Sequence, residues 1–140
     1  MCYNYRAMGK QENFDAELFF SALADKTRLR LLNLMRDGEV CVCFFAGTLA
    51  TNNPKISRHL AYLKRAGLVE SRRDGKWMHY RLTAPKSEDA AKVFEATMDM
   101  LANDKEMAAD RRRYTAFCCA PNAPVTIVGR ARNSGAPQPV

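Results

Sequence analysis

The change of hydrophobic period at Gly67 constrains this chain more than any other feature. On its N-terminal side, residues 54–66 carry Ile56, Leu60 and Leu63 at steps of four and three, the spacing of one helix face. In Thr51-Asn52-Asn53-Pro54 an asparagine can cap that helix and Pro54 suits a first helical position. On the C-terminal side the repeat falls to two: residues 68–73, an Asp74-Gly75 turn, then residues 76–82, where Met78, Tyr80 and Leu82 alternate with Trp77, His79 and Arg81. Asp-Gly between two such runs is a strong hairpin signal.

Upstream, Phe14, Leu18, Phe19, Ala22 and Leu23 mark the buried face of a helix over residues 13–23. Asp25 then precedes a second helix with Leu29, Leu32 and Met35 inward and Arg28, Arg30 and Arg36 outside, stopped by Gly38. A short helix over residues 44–50 follows. Downstream, the pattern predicts one long amphipathic helix from Pro85 to Tyr114, with Phe94, Met98 and Leu101 along its stripe. The prolines and glycines beyond Cys119 predict a disordered tail. The expected organisation is a flexible segment over residues 1–12, one folded domain over 13–114, and a cysteine-containing tail over 115–140.

Charge is unevenly spread along the 140 residues, whose net charge is +7. Basic and acidic residues cancel up to Val40, but residues 41–82 hold eight basic and two acidic side chains. Two helices joined by a short turn and followed by a basic hairpin set the second helix's polar face and the hairpin's cations on one side, which matches a duplex: helix in the major groove, flanking cations on phosphates. The expected fold is mainly α with a small β-hairpin wing, a winged helix-turn-helix. Asn53, Lys55, Ser57, Arg58 and His59 fall at the base-reading end, with Tyr62 further along the outer face, and Arg72, Arg73, Lys76 and His79 on the wing. His59 suits an interior hydrogen-bonded position equally well.

The five cysteines are Cys2, Cys41, Cys43, Cys118 and Cys119. An odd set, with no apolar run of signal-peptide or membrane-span length, points to reduced thiols in the cytoplasm and to metal or redox chemistry rather than a disulfide framework. An enzyme is disfavoured: there is no phosphate-cradling glycine loop, and both histidines fall in the DNA-facing elements.

The stretch NPKISRHLAYLKRAGLVESRRDGKWMHYRL, residues 53–82, closely resembles the DNA-binding region of the ArsR/SmtB metalloregulatory repressors, as do Ala24-Asp25-Lys26-Thr27-Arg28-Leu29 and Glu39-Val40-Cys41-Val42-Cys43. The resemblance covers about residues 15–105. It implies a homodimer paired through its outer helices, a double-stranded operator with two-fold symmetry, and repression relieved when a metal or metalloid binds. Asn52-Asn53 replace the Ser-Gln common in the family, and Phe44 replaces an acidic residue.

Cys41-Val42-Cys43 is the family's arsenite-responsive pattern, but its third cysteine is here Ala46. The resemblance therefore implies a third thiolate from elsewhere: Cys118 or Cys119, or Cys2 as in cadmium- and lead-sensing relatives. Three soft thiolates without imidazole suit As(III), including methylated arsenite, or Sb(III). No zinc site is expected on the C-terminal helix, which has no histidine. A cadmium-, lead- or thiol-redox-responsive repressor of the same fold is the alternative. Residues two apart on a regular helix diverge by about 200°, so ligation by Cys41 and Cys43 is expected to distort the backbone there and disturb the recognition helix.

Overall fold

The computed structural model describes residues 14–118. In chain order its elements are α1 (Ala16–Leu23), α2 (Lys26–Leu34), β1 (Val40–Cys41), α3 (Val42–Leu49), α4 (Asn53–Arg65), β2 (Val69–Asp74), β3 (Trp77–Leu82), α5 (Glu88–Ala102) and α6 (Lys105–Cys118). Helices α3 and α4 form the helix-turn-helix and β2–β3 the wing, so the architecture is a mainly α winged helix-turn-helix.

Side-chain caps begin most of the helices. Asp15 accepts from the Leu18 amide, Asp25 from Thr27 and Arg28, Asn52 from Lys55 and Ser87 from Ala90, each satisfying donors that a first helical turn leaves unpaired. The apolar stripes then meet in one core built on Phe19, Leu31, Leu32, Phe44, Phe45, Ile56, Leu60, Leu63 and Leu68.

Four boundaries depart from the sequence expectation. Helix α2 closes at Leu34 with Met35 as its C-cap, and Gly38, at φ +143°, serves the turn that leads into β1 instead of stopping the helix. The hairpin turn lies one residue later than expected: Asp74 pairs with Trp77, and Gly75 takes the left-handed conformation at φ +64°. The short helix starts earlier, at Val42.

The largest correction concerns the expected long helix over residues 85–114. It is two helices, broken where Asn103 caps α5 and the Asp104 carboxylate accepts from the Met107 amide to open α6. Both halves keep a helical period, so the stripe hides the break, and what bends the chain is tertiary. Helix α6 folds back to bury Met107 and Tyr114 and to set Asp110, fully enclosed, against Arg30 at 2.7 and 2.9 Å, with Arg113 also on that carboxylate. Buried Asn33 donates to the Met107 carbonyl at 3.0 Å and accepts from Arg111. The arginines expected outside α2 are thus internal anchors: Arg30 holds Asp110, Arg36 donates to the Met98 carbonyl at 2.7 Å, and Arg28 closes the end of α1 through the Ser21 and Ala22 carbonyls. Residues 115–118 continue α6, so the tail cannot begin at 115. The flexible segment assigned to residues 1–12 and the tail from 119 onward lie outside the described residues.

Candidate DNA interface and thiol site

Helix α4 turns Ile56, Leu60 and Leu63 into the core and leaves Asn53, Lys55, Ser57 and Arg58 exposed. At about 100° per residue Arg58 stands roughly 200° from Ile56, near the centre of the outward face. Asn52 is the cap, which leaves Asn53 as the first helical residue with its side chain in solvent. His59 and Tyr62 are half-buried. His59 Nδ1 lies 3.2 Å from Arg28 and 3.9 Å from Asp25, and burial holds its pKa below the usual histidine value. The Arg28 guanidinium also stacks on the Tyr62 ring at 4.1 Å. These two side chains tie α4 to α2, the interior role that His59 suited from the outset.

On the wing, Arg73 and Lys76 are exposed, whereas Arg72 is bound through two hydrogen bonds of 2.8 and 2.7 Å to Glu39, whose carboxyl is thereby held below its ordinary pKa. A phosphate would have to take Arg72 from that partner. His79, expected to face DNA, is instead only 3% exposed. The reason is β1, a two-residue strand that no sequence period signals. It pairs with the free edge of β3, Val40 opposite Tyr80 and Cys41 opposite His79, giving the sheet order β1-β3-β2. β3 is therefore central, and His79 lies between Cys41 on one side and Arg72 on the other. Its Nδ1 has no hydrogen-bond partner and its Nε2 is 3.9 Å from Asp74.

The same strand positions the thiols. Cys41 ends β1 in an extended conformation (φ −73°, ψ 139°) as the N-cap of α3, and Cys43 is already inside that helix. A strand-to-helix corner is free of the 200° divergence within a helix, and the two sulfurs stand 3.2 Å apart. The expected backbone distortion on bringing Cys41 and Cys43 together is overturned: the pair is preformed. Their separation is less than two metal–sulfur bonds of roughly 2.3 Å end to end, so one thiophilic centre can touch both. Cys41 is fully buried and Cys43 half-buried; burial first, and the bond to Cys41 second, push the Cys43 thiol up to about 12.

No third ligand stands beside them: among the described residues no three Cys, His, Asp or Glu side chains are grouped to hold a metal ion. Ala46 is half-buried on α3. Cys118, in the last turn of α6, directs its thiol at the Thr115 carbonyl, 3.7 Å away. Cys119 and Cys2 lie outside the described residues.

A three-stranded sheet carrying a basic hairpin, beside a helix pair whose second member shows polar and cationic side chains at its start, defines a winged helix-turn-helix DNA-binding protein. Residues 25–71 match the profile of the family described as bacterial regulatory protein, arsR family. The arsenic resistance transcriptional regulator ArsR1 of Pseudomonas putida is 38% identical over 109 residues, covering 77% of this chain and 84% of that protein. The arsenical resistance operon repressor of Escherichia coli is 47% identical over 77 residues, 54% of this chain and 66% of its own length. The homodimeric winged helix-turn-helix DNA-binding domain of Mb0332 from Mycobacterium bovis superposes with a TM-score of 0.53 at 30% identity, over 72% of this chain and 88% of that one. The chain belongs to the arsR family of bacterial regulatory proteins. It is an ArsR-type transcriptional repressor, a transcription factor and not an enzyme, and among its described residues no helix is long and apolar enough to cross a membrane.

Proposed function

We propose that this repressor controls an arsenic-resistance operon in the cytoplasm, and that As(III), or Sb(III) in its place, releases it from the operator by binding Cys41, Cys43 and a third thiolate from Cys118 or Cys119. The observation that carries the reading is the 3.2 Å separation of the two sulfurs at the β1–α3 corner. Two partners of that corner give it leverage on DNA binding. β1 is hydrogen-bonded to β3 of the wing, and α3 packs on α4. A ligand that ties this preformed corner to a third thiolate pulls on both DNA-facing elements, and a coupling of about 1–3 kcal/mol is enough to empty an operator. Asn53, Lys55, Ser57 and Arg58 read the major groove in this account, with Arg73 and Lys76, and Arg72 once released by Glu39, on the backbone.

The burial of the thiols favours arsenite over a divalent cation. Neutral arsenous acid exchanges its three hydroxyls for three neutral thiols: each S–H and As–OH yield one As–S bond and one water, no proton reaches bulk, and the product is uncharged. A divalent cation must instead expel a proton from Cys43, whose thiol burial pushes up to about 12, and three thiolates around it leave a net negative charge beside the fully buried Cys41.

The repressor acts as a homodimer on a two-fold operator. Its outer helices α1 and α5 leave Phe20 55% and Met100 64% exposed, and Phe20 lines an apolar groove with Phe14, Phe19, Ala90 and Val93.

Operator mobility shifts with the reduced wild type, Cys118→Ser and Cys119→Ser test the site, each titrated with arsenite, cadmium and peroxide. Release of the wild type by arsenite, with the response lost in one serine variant, is the expected result. Release by peroxide alone overturns the metalloid reading in favour of a redox switch, and an unaltered arsenite response in both variants moves the third thiolate to Cys2.

A further inference from the structure

Helix α3 contains a glycine, Gly47, with no positive φ to require it. Glycine inside a helix costs roughly 1 kcal/mol relative to alanine, so packing must account for it. A Cβ built at Gly47 would lie 2.7 Å from both Cε2 and Cζ of Phe117. The Phe117 ring fills the notch that glycine leaves and meets Phe44 edge-on at 5.4 Å, with Tyr114 also edge-on to Phe44 at 6.0 Å. This is where the end of α6 locks onto α3. Gly47 lies one helical turn beyond Cys43, on the same side of α3, and Phe117 directly precedes Cys118. With the ring seated, the Cys118 thiol is turned to its own helix and no three-ligand group exists among the described residues.

We propose that Phe117 in the Gly47 notch is a positioning residue, a latch that holds the Cys118 thiol away from the Cys41–Cys43 pair and braces α3 in its DNA-binding position. The inference rests on the reading of Cys41, Cys43 and the end of α6 as the inducer site. On this proposal, completing that site moves the last turn of α6 out of its place. Unseating the ring removes packing from α3, which abuts α4, so inducer binding and operator binding draw on opposite states of one contact. A change that opens the latch must then strengthen arsenite binding and weaken operator binding together.

The test measures arsenite affinity by equilibrium dialysis and operator affinity by fluorescence anisotropy, separately, on the full-length wild type, Gly47→Ala, Phe117→Ala and the double variant. Gly47→Ala is expected to bind arsenite on the order of fivefold more tightly and the operator weaker by a comparable factor. Phe117→Ala is expected to do the same without a clash, and adding Gly47→Ala to it to change nothing further, because the notch has lost its occupant. Weaker or unchanged arsenite binding in Gly47→Ala, lower thermal stability as its sole effect, or additive effects in the double variant would overturn the latch. Cys41→Ser and Cys43→Ser in parallel separate the two levels. If wild-type arsenite binding does not depend on them, the inducer site itself is wrong; if it does and Gly47→Ala is silent, the latch alone falls.

Discussion

Cys43 and Arg58 show how far single residues carry the account. Burial first, and the hydrogen bond with Cys41 second, push the Cys43 thiol up to about 12. Between pH 6 and 8 the free protein therefore holds its proton, and a divalent cation that displaces it gains about tenfold in affinity per pH unit for each proton released. Arsenous acid carries those protons off as water, so its affinity is expected to stay flat. Dialysis of arsenite and of cadmium at pH 6, 7 and 8 checks both slopes, and a steep arsenite slope contradicts the electroneutral exchange. Arg58, at the centre of the outward face of α4, is unencumbered by the protein contacts that hold Arg72, His59 and Tyr62. Arg58→Ala is expected to cost about 1–3 kcal/mol of operator affinity with little change in thermal stability, read by anisotropy and by melting. The basic character of this face was plain in the sequence. Which cations are spent inside the protein was not, since pairing with Glu39 or a carbonyl depends on neighbours remote in the chain.

The elements divide into those that local pattern specifies and those that only tertiary contact creates. Helix α4, its cap and the hairpin follow from residues 52–82 alone, because caps, period and turn chemistry act within a few residues. β1 and the α5–α6 break do not. A two-residue strand has no period to detect, yet it makes β3 central, buries His79 and sets the corner that joins Cys41 to Cys43. The break at Asn103-Asp104 depends on the ion pair across which α6 returns to α2. Removing one partner of a buried pair strands the other, so Arg30→Met is expected to cost about 3 kcal/mol in urea unfolding, at the low end because Arg113 still reaches Asp110. Lys26 and Glu106 join the same two helices but are more than half exposed, and Lys26→Ala is expected to cost less than about 1 kcal/mol. Equal losses from the two substitutions would show that α6 is not held by its buried network.

At the scale of the whole molecule, the wing, the recognition helix and the thiol pair meet at one junction, while the exposed large apolar side chains among the described residues lie on α1 and α5. In the proposed homodimer that separation leaves one surface for the second copy and another for DNA. Phe20→Asp is expected to give a monomer by sedimentation, with unchanged helical circular dichroism and stability within about 0.5 kcal/mol, and with at least a tenfold loss of operator affinity at fixed concentration. A dimer that persists would place the seam elsewhere. In the proposed mechanism, sensing is joined to DNA release through Cys41 and Cys43. Fluorescence anisotropy of a labelled operator duplex, titrated with arsenite over wild type, Cys41→Ser and Cys43→Ser under reducing conditions, measures that link. Wild type should leave the duplex as arsenite rises, and both variants should bind it with wild-type affinity and stay bound. If either variant were released at the wild-type arsenite concentration, the preformed thiol pair could not be the switch.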